Sequence, residues 1–429
     1  MDWDKHCYRV GTHTATCLDL PDPATKEFNQ FVADARKRVE PWLSAVFQAE
    51  HLNLLVGSGF TAAVSSIAGS CATSMEKIKF GTTYDDAINA HADNSAKAMG
   101  RGAANVEDQF RSALSVLEGF DVLDRAKAEK LKKSLDKQLK TFLESLLGTE
   151  NGISKGKDEA QRNKAQNVLQ SFLLSFASRA ASRERLHIFT SNYDRLIEHG
   201  CDLAGLRIID RFVGALNPVF RSSRVEVDMH YNPPGIRGEP RFMEGVIRLT
   251  KLHGSLDWCF DRESRQIIRR GIPFGASSAH TDVPKNPIDT IMIYPNPAKD
   301  VETTQYPYAE LFRDFAASIC RPNAVVVTYG YGFGDDHINR ILLDMVTIPS
   351  THIVIIAYDA DSRVRKFCEN TRDAQVSLLL GPHFGDLETI VEHYLPKPAL
   401  DYITGRMAEL IKHRIGPFHD VPATTPTGT

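Results

Sequence analysis

The stretch LNLLVGSGFTAAVSSIAGS, residues 52–70, decides the fold. It places a short apolar strand directly before the turn Gly57-Ser58-Gly59, and a helix rich in small residues follows that turn. A strand that leads into a helix in this way is typical of sheets covered by helices on both faces. The turn also suits a phosphate, because glycines let backbone N–H groups approach closely and a helix N-terminus is partly positive. Alone it is a weak signal, since the same turn serves tight strand–helix packing.

Apolar runs of the same kind recur in the second half of the chain. They are rich in Val, Ile and Leu rather than alternating, as is typical of parallel strands covered on both faces. The predicted strands are LHIFT (186–190), VIRLTKLH (246–253), TIMIYP (290–295), AVVVTYG (324–330), HIVIIAYD (352–359) and VSLLLG (376–381). Helical segments separate several of them, so the sequence predicts an α/β fold with a Rossmann-like, doubly wound parallel sheet. Residues 213–245 and 259–289 are interpreted as long excursions from the rim of that sheet.

The chain between the first two predicted strands is helical and charged. Residues 71–180 are too long for a loop and contain strongly amphipathic segments, so we predict a helical insertion subdomain there. The Rossmann-like domain then comprises 51–70 and 181–396, after a helical N-terminal segment (1–50). A C-terminal helix and a disordered tail are predicted for 397–429.

Composition indicates a soluble globular protein of 429 residues, with 42% hydrophobic residues, 24% charged residues and a formal net charge of −3. No global basic field favours nucleic-acid binding, and no apolar run approaches the ~20 residues of a spanning helix. The seven cysteines are scattered without a C-x-x-C pair, which argues against a disulfide framework and a structural zinc site. With no signal-peptide pattern either, we expect a cytoplasmic protein without a metal, a membrane or a direct nucleic-acid partner.

Polar residues follow the predicted strands, where ligands of open parallel sheets bind. Asn192 and Asp194 follow LHIFT, His253 ends VIRLTKLH, and Asp359 ends HIVIIAYD. Each has an ordinary structural alternative. Asn192 and Asp194 suit a turn or a helix cap, His253 could be a satisfied core or surface histidine, and Asp359 suits a helix N-cap.

The motifs at these strand ends resemble those of the sirtuin (silent information regulator) superfamily, in the same order. They are GSGFT (57–61), TSNYD (190–194), LHGS (252–255) and TYGYGFGDDHI (328–338). The stretches NVEDQF (105–110) and YPNPAKDVETTQYPYAELF (294–312) resemble the sirtuin-like branch of bacterial antiphage defence. The resemblance covers most of residues 50–395.

The resemblance implies NAD+ as the substrate and assigns roles to the candidate residues. Asn192 would orient the water that attacks C1′ of the ribose, and His253 would take a proton from a ribose hydroxyl. Asp194 would anchor the nicotinamide ribose. The other NAD+-binding positions would be Gly57, Ser58, Gly59 and Thr61 at the pyrophosphate, Gly330 and Tyr331 at the second phosphate–ribose half, and Asp359 at the adenosine ribose, with Thr190 as a further binding residue. Glu107 is a candidate wall of the pocket, with a solvated helix face as the alternative.

One departure from the family pattern bears on the reaction. Protein-deacylating sirtuins carry two C-x-x-C pairs for zinc after the His-Gly, whereas Cys259 stands alone here, so no zinc ribbon is predicted. The pattern is that of NAD-hydrolysing members. The resemblance therefore implies an NAD+ glycohydrolase (NADase) that depletes NAD+ in antiphage defence, as a homo-oligomer that docks on a HerA-type ring ATPase. A protein deacylase or ADP-ribosyl transferase, or a noncatalytic NAD or ADP-ribose sensor, remains the alternative.

Overall fold

The computed structural model describes residues 5–98, 102–223, 227–231, 241–285, 291–293 and 306–397, with Trp3 and Pro287. The strands are β1 (His6–Arg9), β2 (Thr16–Leu18), β3 (His51–Val56), β4 (His187–Thr190), β5 (Arg207–Ile209), β6 (Phe212–Val213), β7 (Val219–Phe220), β8 (His230–Tyr231), β9 (Arg241–Phe242), β10 (Val246–Lys251), β11 (Gly254–Asp261), β12 (Gln266–Arg269), β13 (Ile291–Ile293), β14 (Ala324–Tyr329), β15 (His352–Ala357) and β16 (Val376–Leu380). The helices are α1 (Lys26–Phe47), α2 (Ser58–Ile67), α3 (Asp85–Ala98), α4 (Val106–Leu123), α5 (Arg125–Lys155), α6 (Glu159–Ala177), α7 (Leu196–Ala204), α8 (Tyr308–Ile319), α9 (Asp336–Met345) and α10 (Ser362–Glu369), followed by short helical turns between Pro382 and Tyr394.

The central sheet has nine strands in the order β2-β1-β16-β15-β14-β3-β4-β10-β5. The strands from β16 to β5 run parallel to their neighbours, whereas β1 pairs antiparallel with both β16 and β2. The predicted Rossmann-like α/β sheet is therefore confirmed. The side chains of β14 show why it reads as a continuous apolar run: Val325 and Val327 join the core on one face, and Val326 joins the core on the other.

Helices cover both faces of this sheet. Helices α1, α2, α6 and α7 pack on one face, where Leu43, Phe60 and Phe172 are fully buried. Helices α8, α9 and α10 pack on the other face, around Phe315 and Leu342. This two-sided cover is the architecture that buries the backbone of a parallel sheet.

A second sheet was missed by the sequence-based prediction. It has five strands in the order β13-β11-β12-β7-β6 and is antiparallel. The stretches interpreted as excursions contain several of these strands. Of the run 290–295, predicted as a parallel strand, the described residues are β13 (Ile291–Ile293), which pairs antiparallel with β11 in this sheet. Two causes explain the miss: β11 is buried along nearly its whole length and so does not alternate, and β6 and β7 have two residues each.

The insertion divides between two cores. Helices α3 and α4 and most of α5 surround a separate core that includes Phe110, Leu135 and Leu143. Helix α6, although it lies within the predicted insertion, packs on the sheet through Phe172 and Phe176. We therefore place α6 with the layer that covers the sheet.

The N-terminal segment contains α1, as predicted, and also the two strands that extend the edge of the central sheet. Cys7 and Cys17 face each other across β1 and β2 and form a disulfide. The argument from scattered cysteines missed this bond, because cysteine spacing does not encode the register of the hairpin that brings the two together. Of the predicted C-terminal helix and tail, all but Lys397 lies outside the described residues. No helix in the described ranges has the length and apolar character that crossing a membrane requires.

Candidate functional site

A cavity of about 300 Å³ opens where β3, β4, β10 and β14 end. Strand β3 lies between β4 on one side and β14 on the other, so the cavity sits at the switch point of the doubly wound sheet, where ligands of this fold class bind. The predicted site residues that line it are Gly57, Ser58, Thr61, Asn192, Asp194, His253 and Tyr331. The structure does not bring Gly59, Thr190, Gly330 or Asp359 to its lining.

The glycines after β3 serve a close contact between two turns. Gly57 N–H donates to the carbonyl of Tyr329 at 3.2 Å, and Gly59 N–H donates to the carbonyl of Gly330 at 3.0 Å. A β-carbon on Gly57 would lie 2.5 Å from that Gly330 oxygen. These two N–H groups are therefore engaged within the protein, and the predicted cradle is narrower than the sequence suggests. At the first turn of α2 it consists of the exposed Ser58 and the buried Thr61.

Thr61 connects the turn after β3 to the turn after β4. Its hydroxyl donates to Oδ2 of Asp194 at 2.8 Å and accepts from Nδ2 of Asn192 at 3.0 Å. The same Nδ2 also donates to the carbonyl of Gly57 at 3.0 Å. With both donor bonds of the amide directed to protein, Oδ1 of Asn192 is the amide atom left for a ligand or a water.

Thr190 and Asp194 shape the turn that carries Asn192. The hydroxyl of Thr190 accepts from the Asn192 backbone N–H at 3.0 Å, so Thr190 acts on the site through its neighbour. Oδ1 of Asp194 accepts from the backbone N–H of Leu196 at 3.1 Å, at the start of α7. Asp194 thus forms the local turn that precedes α7, whose N-cap is Arg195, and it also lines the cavity.

His253 is buried beside two carboxylates. Its Nδ1 lies 3.7 Å from Oε1 of Glu107, and the hydroxyl of Tyr193 donates to that same oxygen. Ligand-type atoms of Glu107, His253 and Asp335 all lie within 4.8 Å of one another, a spacing that a divalent cation can share. Because Tyr193 already donates to Glu107, and an imidazolium would balance the carboxylates, we interpret the group as a histidine–carboxylate cluster.

The electrostatics of this cluster make the imidazole of His253 more basic than usual. Burial lowers the pKa of His253, but the nearby carboxylates of Asp335 and Glu107 outweigh burial, and the pKa is raised above its usual value. Arg111 opposes the two carboxylates. A histidine of this kind is a stronger base than an exposed one and holds the proton it receives.

The helical insertion supplies one wall of the cavity. Glu107 is in the first turn of α4, and the loop before α3 contributes Thr73 and Met75. Because Glu107 is only 8% exposed, the solvated-face alternative for it is wrong. A buried ion pair fixes the wall to the sheet: Glu150 of α5 accepts from both Nε and the backbone N–H of Arg195, at 3.1 and 2.9 Å.

Asp359, the predicted adenosine-ribose position, is exposed and does not line the cavity. Asp361 takes the capping role instead, accepting from the backbone N–H groups of Arg363 and Val364. Arg363 lines the cavity and lies 2.7 Å from Asp361 through Nε. Sequence analysis missed Tyr193, Asp335 and Arg363. Asp335 directly precedes α9, so a search for charged residues at helix starts beyond strand ends finds it.

No protein-family model matches this chain, and none of the curated proteins matches it either.

Proposed function

We propose that the protein is an NAD+ glycohydrolase, which cleaves the bond between nicotinamide and ribose to give nicotinamide and ADP-ribose. The observation that carries the proposal is the meeting of the α2 N-terminus, Asn192 and His253 in one cavity at the switch point of the sheet. The resemblance to NAD-hydrolysing sirtuins supports the same reaction, with NAD+ as substrate rather than resident cofactor.

The anionic part of the substrate is bound at the start of α2. Ser58 offers a backbone N–H and a hydroxyl at the positive end of this ten-residue helix, and Arg363 adds a guanidinium to the same cavity. Together they suit the pyrophosphate. Because Arg363 is paired with Asp361, its net contribution of positive charge is reduced, and the helix N-terminus carries more of the binding.

The reacting bond lies at Asn192 and His253. The C1′–N bond breaks with its electron pair going to the nicotinamide nitrogen, so the ribose passes through an oxocarbenium-like state. Oδ1 of Asn192 accepts from one water and orients its oxygen toward C1′. Nε2 of His253 takes the proton of the ribose hydroxyl, and Glu107 and Asp335 stabilise the imidazolium that forms. When the water bonds to C1′, its surplus proton passes to the ribose oxygen, and the imidazolium then releases its proton to solvent.

The test measures nicotinamide release from NAD+ at saturating substrate, with chromatography as the detection method. Asn192→Ala and His253→Ala should each lose roughly 10²-fold or more in turnover, the usual scale for a positioned acid–base group. Both should still bind NAD+, because they leave Ser58 in place. The matched controls are the exposed Asn94→Ala and His13→Ala, which should behave like the parent. Parental turnover in both site variants would refute the proposal.

We further propose that the enzyme is an NAD-depleting effector of cytoplasmic antiphage defence, assembled as a homo-oligomer on a HerA-type ring ATPase. The tip of the α4–α5 hairpin supports a contact surface in the insertion, because Val122 and Leu123 there are 86% and 82% exposed. Light scattering at micromolar protein, alone and with the ATPase, tests the assembly. A monomer that ignores the ATPase contradicts it, and Leu123→Asp should weaken the complex.

A further inference from the structure

Glu107 is a buried carboxylate to which the proposed reaction assigns no role before the proton reaches His253. Carboxylates are rarely buried unless paired, and this one has two neighbours in the cavity. The hydroxyl of Tyr193 donates to its Oε1, and Nδ1 of His253 lies 3.7 Å from the same atom. The backbone direction of Glu107 is also fixed, because it lies inside a capping box formed by Asn105 and Asp108.

We propose that Glu107, held in place by Tyr193, is the positioning residue of His253. From 3.7 Å its negative charge favours the tautomer with the proton on Nδ1, so that Nε2 is the nitrogen that accepts the proton of the ribose hydroxyl. The arrangement is that of a carboxylate behind a histidine base, which fixes the tautomer and stabilises the imidazolium that forms. The inference rests on the proposed function, in which His253 is the proton acceptor.

Tyr193 remains a donor over the working pH range. Burial raises the pKa of its hydroxyl well above the usual value, and the Glu107 carboxylate raises it further. The phenol therefore stays protonated and keeps its hydrogen bond to Glu107. Its ring also lies 6.2 Å from the imidazole of His253, centroid to centroid.

The charged and titratable groups around His253 determine the direction in which its pKa should change in each variant. Glu107 and Arg111 face it from α4, Asp335 from the turn before α9, and Tyr193 from the turn after β4. Glu107→Gln removes a negative charge, so the imidazole should lose its proton at lower pH than in the parent. The hydrogen bond from Tyr193 partly neutralises the Glu107 carboxylate. Tyr193→Phe removes this bond, so the carboxylate should attract the imidazolium more strongly and His253 should lose its proton at higher pH than in the parent.

The experiment compares pH profiles of nicotinamide release with an NMR titration of His253 in the full-length protein. The imidazole signal is assigned with His253→Gln. In Glu107→Gln the acid limb of kcat and the imidazole titration should both move to lower pH, and turnover at the plateau should fall roughly tenfold to hundredfold with KM little changed. In Tyr193→Phe both should move the opposite way.

The matched control is Glu118→Gln, an exposed glutamate on the same helix, which should leave the profile and the titration unchanged. Coincident His253 titrations in the parent, Glu107→Gln and Tyr193→Phe would overturn the inference. The titration needs no turnover. A parent that releases no nicotinamide therefore refutes the proposed function, while the coupling between Glu107 and His253 is still decided.

Discussion

Gly59 and Gly330 touch backbone to backbone. The N–H of Gly59 donates to the carbonyl of Gly330 at 3.0 Å, and a β-carbon on Gly59 would lie 2.8 Å from the Gly330 α-carbon. The turns after β3 and β14 are therefore packed so closely that neither tolerates a side chain. This contact holds the first turn of α2 against the central sheet and sets the position of Ser58 in the cavity.

Gly330→Ala should destabilise the protein. Gly330 has φ +61°, and its β-carbon would lie 2.5 Å from the backbone nitrogen of Phe60. We expect the free energy of unfolding to fall by roughly 1–3 kcal/mol or more, measured by urea denaturation. The control is Gly148→Ala, exposed in α5 with no atom within 4 Å, which should be neutral or stabilising. Equal stability of Gly330→Ala and the parent would show that the two turns can separate.

Thr61→Val should disturb the site more than the fold. The change removes an acceptor of the Asn192 amide and a donor to Asp194, and leaves buried polar atoms unsatisfied at a cost of about 1–3 kcal/mol. Because the amide is then free to rotate, turnover of NAD+ should fall by about tenfold or more at saturating substrate. Thr61→Ser should restore most of the activity, and exposed Thr141→Val should match the parent. An active Thr61→Val enzyme would mean that Asn192 needs no such support.

Glu150→Ala should be among the most destabilising changes in the insertion. It leaves the guanidinium of Arg195, 6% exposed, without its carboxylate, which typically costs about 3–5 kcal/mol. Glu150→Gln keeps one acceptor oxygen for Arg195, although its NH2 group replaces the other acceptor, and it should be milder than Glu150→Ala. Chemical denaturation of both variants, with exposed Glu144→Ala as the control, measures the difference. A loss no greater than that of Glu144→Ala would show that the pair does not fix the insertion to the sheet.

The protein should lose stability as the pH falls below about 6.5. Burial lowers the pKa of His383 from 6.5 to about 4 in the folded chain. The unfolded chain therefore binds more protons between these two values, and protonation favours unfolding by about 1.4 kcal/mol for each unit of pKa difference at full effect. The buried His187, whose pKa burial also lowers, acts in the same direction.

Melting temperatures at pH 7.5 and 5.0 test this effect. The parent should melt lower at pH 5.0, and His383→Gln should show a smaller difference between the two pH values, whatever its stability at pH 7.5. The relevant quantity is the difference, since removing the hydrogen bond between His383 and Tyr394 affects both measurements. Identical pH differences in the parent and the variant would assign the sensitivity to other groups.

The sequence predicted the parallel sheet well because its strands, such as β14 and β15, are long apolar runs flanked by amphipathic helices. It predicted the small strands β6 and β7 poorly, since two residues carry no periodicity. The disulfide between Cys7 and Cys17 was missed for a different reason. It depends on the register of a hairpin, which neither cysteine spacing nor composition encodes.

For the site, residues that follow strands were predictable, and residues from the insertion were less so. Asn192 and His253 follow β4 and β10, so the rule for parallel sheets places them at one edge. Glu107 reaches the cavity only through the packing of α4. The capping box predicts where that helix begins, but it does not predict that the first turn packs against the cavity. The sequence left two reasons open for Gly57 and Gly59: close approach to a phosphate, or tight packing between strand and helix. The structure shows the packing, because both glycines lie against the backbone of Gly330.

The ends of the central sheet limit how copies of this chain can associate. Within the described residues, both outermost strands are three residues long: β2 at one edge, tied to β1 by the disulfide, and β5 at the other. Short edge strands present few unpaired backbone groups, so a second copy could form few backbone hydrogen bonds by pairing its own strand with either edge. The homo-oligomer proposed above would then be held by side-chain surfaces, and the same two short edges would protect a concentrated pool of subunits against ordered aggregation.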